Sequence, residues 1–173
     1  MRCLLDKVTA RHIMEGMLRL VEGRTVTPAE LFALYFYRRA RPRGIELFIT
    51  PQTERLLKRL EHLPRYAGLI RRFLGTTKVS LPARYFKRWA RRLREYGFTS
   101  EDADVLALAT FGTTQDVDVL GMHVVATFDQ PMINQWDAQQ AEIQQQLTNM
   151  RRNLRGPYRH VSLPTVERPE RIA

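Results

Sequence analysis

The sequence predicts an α/β domain of three layers, α/β/α, built on a mainly parallel central sheet. Two observations carry this. Short apolar runs of strand length recur between longer segments with helical spacing, and cap or stop residues fall at the joins. Strands separated by helices need crossover connections, and these cover both faces of a parallel sheet. The 173-residue length suits one domain. It is expected over residues 1–165, with a frayed tail over 166–173. A chain of this size buries roughly 70% of its unfolded surface, so stability requires neither disulfide nor metal.

Met1 to Leu5 is an apolar run ending at Asp6, as expected of a buried first strand. From Val8 to Val21 the residues Ile13, Met14, Met17, Leu18 and Val21 have helical spacing, and Gly23 stops that helix. Thr27-Pro28-Ala29-Glu30 is a capping box with proline at the first helical position, opening a helix over Leu31 to Ala40. Ile45 to Ile49 reads as a strand, and Thr50-Pro51 opens a helix through Leu60. Pro64 starts another through Phe73, and Gly75 to Val79 reads as a loop. Leu81 to Tyr96 predicts one long basic helix that Gly97 ends. Thr99-Ser100-Glu101-Asp102 caps a helix to Thr110, and Gly112 to Leu120 reads as a polar loop. Met122 to Ala126 is a strand, Gln130 to Arg155 a glutamine-rich helix, and Arg159 to Leu163 a last short strand.

Charge and composition narrow the function. Hydrophobic residues make up 44% of the chain and charged ones 27%, which excludes wholesale disorder. No apolar run approaches the roughly 18 residues of a membrane helix, so no membrane partner is expected. The first residues lead straight into Asp6 without the apolar stretch of a signal peptide. The single cysteine, Cys3, has no internal partner, which fits a reducing, cytoplasmic setting. Lys and Arg number 28 against 18 Asp and Glu, a net charge of +10. Only Lys7, Lys58, Lys78 and Lys87 are lysines. Arginine forks onto phosphate through paired hydrogen bonds and stacks on bases, so the excess favours a polyanion, most simply nucleic acid. The candidate contacts are Arg38, Arg39 and Arg41, and Arg88, Arg91 and Arg92 on the long basic helix. The aromatics beside the latter, Phe86 and Trp89 with Leu93, share a spacing that suits a core stripe.

In parallel sheets, ligands bind beyond the carboxyl ends of the strands. Asp6 and Asp129 directly follow predicted strands, Glu54 sits in the first turn after another, and Asp102 opens a helix with Asp104 two residues on. Acidic residues gathered at one edge repel one another unless hard cations neutralise them. Oxygen donors suit Mg²⁺ or Mn²⁺, and such ions promote phosphodiester cleavage. Each residue also has a plainer reading: Asp6, Asp102 and Asp129 as helix caps, Glu54 as a first-turn acid beside the helix dipole. The four histidines show no zinc spacing, and no phosphate-cradling glycine loop is present.

The order of these parts resembles a PIN domain, the metal-dependent ribonuclease fold of toxin–antitoxin toxins and RNA-processing nucleases. Phe98-Thr99-Ser100-Glu101-Asp102-Ala103 with the apolar helix after it, Val124-Val125-Ala126-Thr127-Phe128-Asp129, Leu4-Leu5-Asp6, Ile49-Thr50-Pro51 through Leu57, and Val161 to Thr165 carry the likeness, over residues 1–165. The resemblance implies an acidic quartet of Asp6, Glu54, Asp102 and Asp129. Asp6, Asp102 and Asp129 would be the metal ligands, supported by Thr127 and Asp104. It further implies Mg²⁺ or Mn²⁺ as cofactor, RNA as substrate, an acidic antitoxin protein and a homodimer as partners. Where the family often has Thr or Ser after the first Asp, this chain has Lys7, an ammonium able to compete with the cation or to contact the phosphate. The alternatives are an inactive PIN-like module that binds RNA or protein, and a basic helical scaffold whose carboxylates only cap helices.

Overall fold

The computed structural model describes residues 1–172. In chain order the elements are β1 (Arg2–Leu5), α1 (Lys7–Val21), α2 (Pro28–Ala40), β2 (Glu46–Ile49), α3 (Pro51–Leu60), α4 (Pro64–Leu74), β3 (Lys78–Val79) and β4 (Leu81–Pro82). They continue with α5 (Phe86–Glu95), α6 (Ser100–Phe111), β5 (Gly112–Thr113), β6 (Val124–Ala126), α7 (Gln130–Arg151), a 3₁₀ turn at Gly156–His160, β7 (Thr165–Glu167) and α8 (Pro169–Ile172).

Five strands form one sheet in the order β3-β2-β1-β6-β7, and every pairing is parallel. Side chains alternate across it as the pleat requires. Cys3, Leu5, Leu47, Ile49, Val124 and Ala126 face one core, which contains Ile13, Met14, Phe36, Leu57, Ile70 and Phe73 from α1 to α4. Leu4, Phe48, Val125 and Val166 face the other, which contains Trp89, Leu93, Leu106, Phe111, Trp136 and Ile143 from α5 to α7. The layers are thus α/β/α. Phe86 is half-buried, while Trp89 and Leu93 are fully buried, so the apolar stripe of α5 is core and its cations lie outside. Among the described residues no helix is long and apolar enough to cross a membrane.

The caps set the helix starts. Thr27 accepts from the Glu30 N–H, and Glu30 accepts from the Thr27 N–H at 2.8 Å, so both halves of the capping box form. Thr50, Thr99 and Asp129 likewise accept from backbone N–H groups at the starts of α3, α6 and α7. Gly23, at φ +66°, takes the left-handed conformation that ends α1 and that a side chain would oppose.

Four expectations need correction. The long basic helix is shorter than Leu81 to Tyr96. Leu81–Pro82 instead pairs antiparallel with Gly112–Thr113, and Tyr85, left-handed at φ +74°, precedes α5. The loop at 75–79 contributes β3, an edge strand against β2. The predicted final strand at Arg159 to Leu163 is partly the 3₁₀ turn, and the strand forms at Thr165–Glu167. Over 166–172 the expected tail therefore does not fray: Val166 and Pro169 are buried, and Ala173 lies outside the described residues.

The β4–β5 ribbon packs its backbone tightly. A Cβ on Gly112 would lie well inside contact distance of the Ser80 hydroxyl and the Leu108 carbonyl. Because the carbonyl belongs to α6, it cannot turn aside. Gly112→Ala is expected to cost about 1–3 kcal/mol through overpacking, read as a lower urea midpoint at unchanged slope.

Candidate metal centre

The connection from β1 runs to β2 on one side, and that from β6 runs to β7 on the other. The point between their carboxyl ends is a topological switch, where parallel sheets open a crevice. A cavity of about 200 Å³ lies there, lined by Asp6, Lys7, Thr99, Glu101, Asp102, Asp129 and three apolar residues.

Three elements deliver its aspartates. Asp6 ends β1 and caps α1; its Oδ1 accepts from the Thr9 N–H at 2.6 Å, and its Oδ2 from the Thr127 hydroxyl at 2.5 Å. The Thr127 oxygen in turn accepts from the Asp129 N–H at 3.0 Å, and Asp129 Oδ1 accepts from the Met132 N–H at 3.0 Å to cap α7. Asp102 comes from the first turn of α6, and its Oδ2 accepts from the Thr99 hydroxyl at 2.7 Å. The capping readings are therefore correct for Asp6 and Asp129. Each caps through one oxygen while its residue lines the cavity.

The electrostatics show that the three share one environment. Burial, with only 7% of Asp6 exposed, pushes its carboxyl above its ordinary value; the hydrogen bonds from Thr127 and Thr9 oppose that rise, and the charge of Asp129 adds to it. Asp102 is also raised, first by partial burial, then by Asp129 and Glu101, against the lowering effect of Thr99. The charge of Asp129 thus adds to the effect of burial on both Asp6 and Asp102.

Other expected residues are placed differently. Glu54 does not line this cavity. It lines a separate one with Lys78, Val79, Leu81 and Thr114 to Asp116, and it pairs with Lys58 one helical turn on at 2.7 Å. Asp104 is exposed and does not line the cavity, because the step of two positions from Asp102 turns it to another face of α6. Thr127 is fully buried and acts on Asp6 rather than on the cavity.

Arg38, Arg39 and Arg41 end α2 just before β2 begins, so they lie at the amino edge of the sheet, opposite the aspartates. Arg39 stacks on Tyr35, and Arg41 lines a cavity there with Glu46 and Lys78. Arg88, Arg91 and Arg92 lie on the exposed face of α5, whose carboxyl end leads through Gly97 into α6 and the aspartate edge. Arg92 pairs with Glu95 at 2.8 Å.

Two features were not read from the sequence. Glu101 joins the cavity and pairs with Lys7 at 2.6 Å; its position beside Asp102 was the available signal. Elsewhere, donor atoms of His12, Glu15 and Glu30 lie within 4.8 Å of one another. There Glu30 already accepts from the Thr27 N–H and meets the Arg19 guanidinium at 3.0 Å, so its charge is neutralised without a metal. Neither a protein-family model nor a curated protein matches this chain.

Raised carboxyls hold protons to higher pH in the folded state than in the unfolded chain. The stability they allow at low pH is therefore lost as pH rises from 3.8 through their raised values. Asp6→Asn keeps a capping oxygen and removes the buried charge. In chelator at pH 8 it is expected to melt above wild type, because the charge that burial opposes is gone. The gap should close as pH falls toward 4, read by circular-dichroism melts across pH.

Proposed function

We propose that the chain is a metal-dependent ribonuclease of PIN type, hydrolysing phosphodiester bonds in RNA. The observation that supports this best is the convergence of Asp6, Asp102 and Asp129 on one cavity at the switch point of a parallel sheet. Three carboxylates are hard oxygen donors of the kind that Mg²⁺ or Mn²⁺ takes, and binding would draw together oxygens that line one cavity without all lying within 4.8 Å of one another. Asp6, Asp102 and Asp129 would hold the ion. When bound, it supplies positive charge that activates water and stabilises the phosphoryl oxygens.

The chain's own residues do the rest. Thr127 and Thr9 hold Asp6 against rotation, and Thr99 does the same for Asp102. In the hydrolysis, a water oxygen bonds to phosphorus and gives up a proton to solvent, while the bond from phosphorus to the leaving sugar oxygen breaks and that oxygen takes up a proton from solvent. Arg88, Arg91 and Arg92, on the helix that leads to the aspartate edge, would hold the RNA backbone. Glu54 has no part in this scheme.

A second reading, an inactive RNA-binding module, is favoured by one observation: an ammonium, Lys7, already lines the cavity. Cleavage of single-stranded RNA with Mn²⁺ and with chelator separates the two. Under the nuclease reading, Asp102→Asn and Asp129→Asn each lower cleavage by more than about 100-fold, since loss of groups that merely orient metal ligands already costs about 10–100-fold. Equal activity with ion, chelator and variants sinks it. Under either reading, replacing Arg88, Arg91 and Arg92 together by Gln should weaken RNA binding. The slope of log affinity against log salt should then fall by roughly 2, at about 0.7 for each single-strand contact.

A further inference from the structure

We infer that a different cavity, at the amino end of α5, takes one guanine base of a single-stranded RNA and so sets where the strand lies on the protein. This rests on RNA being the ligand, which both readings above share, and adds the base and the residues that recognise it.

The cavity has a volume of about 700 Å³ and lies between the β4–β5 ribbon, the loop that follows β5 and the 3₁₀ turn. That is the size of a pocket for a small organic ligand, and it is larger than the aspartate cavity. Its charged lining is Arg84, Asp116 and Asp118, and its aromatic lining is Tyr158. Among the described residues none of these three charges forms an ion pair. A cation and two carboxylates thus share one cavity without engaging each other, and each is free to meet a ligand.

The surrounding chain holds these groups in place. Tyr85, directly after Arg84, is left-handed at φ +74°, a conformation that glycine takes freely and a bulky residue does not. The turn alone would favour glycine; tyrosine adds a ring. The Arg84 guanidinium lies over that ring at 5.3 Å, and the Tyr158 ring meets it edge to face, also at 5.3 Å. Tyr85 therefore positions both the cation and the aromatic of the cavity. On the opposite wall, Thr114 and Val117 form a β-bridge, and the Thr113 hydroxyl donates to the Thr114 carbonyl at 2.9 Å. The Tyr158 hydroxyl donates to the Asp118 carbonyl at 3.4 Å, which ties the loop that carries the carboxylates to the ring.

These groups match one class of ligand. Unpaired bases of RNA stack on aromatic rings and on guanidinium planes, and they are read by hydrogen bonds along their pairing edges. A carboxylate only accepts hydrogen bonds, through two oxygens side by side. Of the four bases, guanine alone presents two adjacent N–H donors on that edge, its ring N–H and its amino group. Arg84 then meets the phosphate beside the base. Helix α5 starts two residues after Arg84, and its ten residues span about 15 Å toward the aspartate edge. Arg88, Arg91 and Arg92 lie exposed along that path. A guanine held at the start of α5 fixes the register of the strand, several nucleotides from the aspartates.

The test is binding of labelled single-stranded RNAs, one all uridine and one with a single central guanosine in place of a uridine. Fluorescence anisotropy in chelator keeps cleavage out of the readout, and circular dichroism establishes that each variant is folded. Wild type should bind the guanosine RNA at least about tenfold more tightly than the uridine RNA. The double change Asp116→Asn with Asp118→Asn should bring the two affinities within about threefold of each other, and Tyr158→Ala should do the same by removing the stacking ring. Asp116 and Asp118 are exposed, so their variant stands as the test if Tyr158→Ala does not fold. Arg84→Gln should weaken binding of both RNAs and lower the salt slope by about 0.7.

Wild-type affinities within threefold of each other overturn the inference, as does a guanosine preference that survives the paired aspartate change. If folded wild type binds neither RNA at low salt, the RNA readings themselves fail and take the inference with them. That failure is told apart because it is seen without any variant.

Discussion

The carboxylate of Asp6 is the group on which the carboxyl edge of this sheet depends. It sits where β1 becomes α1 and is all but buried. Removing a charge from water costs several kcal/mol, so such a group persists only when its oxygens are hydrogen-bonded. Here one oxygen takes a backbone N–H of α1 and the other takes the hydroxyl of Thr127, at the end of the neighbouring strand. That hydroxyl oxygen takes the Asp129 N–H, and Asp129 caps α7. A single relay therefore runs from the start of one helix to the start of another on the opposite face of the sheet. It fixes the relative position of two aspartates, and α6 brings the third across from above. Each hydrogen bond to a charged group is worth about 1.5–3 kcal/mol, enough to hold the arrangement but not to offset the burial, and after it the charge of Asp129, that raise Asp6 and Asp102.

Much of the fold was legible because its signals are local. The capping box at Thr27, the Thr50-Pro51 start of α3 and the Thr99 cap of α6 each need only four or five residues to be read, and all three stand where expected. The strands of two residues were not legible. Lys78–Val79 and Leu81–Pro82 are too short to show a period of two, and the partner of the latter, Gly112–Thr113, lies some thirty residues away. β7 was set early because Thr165–Glu167 buries only Val166 fully and follows a proline that reads as an ending.

At the site, the rule that ligands gather beyond strand ends located Asp6 and Asp129, and a cap motif located Asp102. The same rule misplaced Glu54. A first-turn carboxylate follows a strand end closely, but its direction depends on its helix face and on Lys58, and neither shows in the spacing. The place of Arg38, Arg39 and Arg41 was not legible for a related reason: charge in a sequence carries no edge. Helix α2 runs against the strands, so its basic end lies at the edge opposite the aspartates. The six candidate arginines thus fall into two groups, one on α5 leading toward the cavity and one at the opposite edge.

The last strand has a consequence that reaches the aspartates without touching them. β7 lies at the outer edge of the sheet, beside β6, and the Thr127 N–H donates to the Glu167 carbonyl at 3.0 Å. The residue whose hydroxyl steadies Asp6 is thereby anchored through its own backbone to the closing segment of the chain. A proteolytic nick near Pro164 would leave every carboxylate of the cavity in place and still unmoor the threonine between two of them. The segment that reads most like a dispensable tail is the buttress of the cavity.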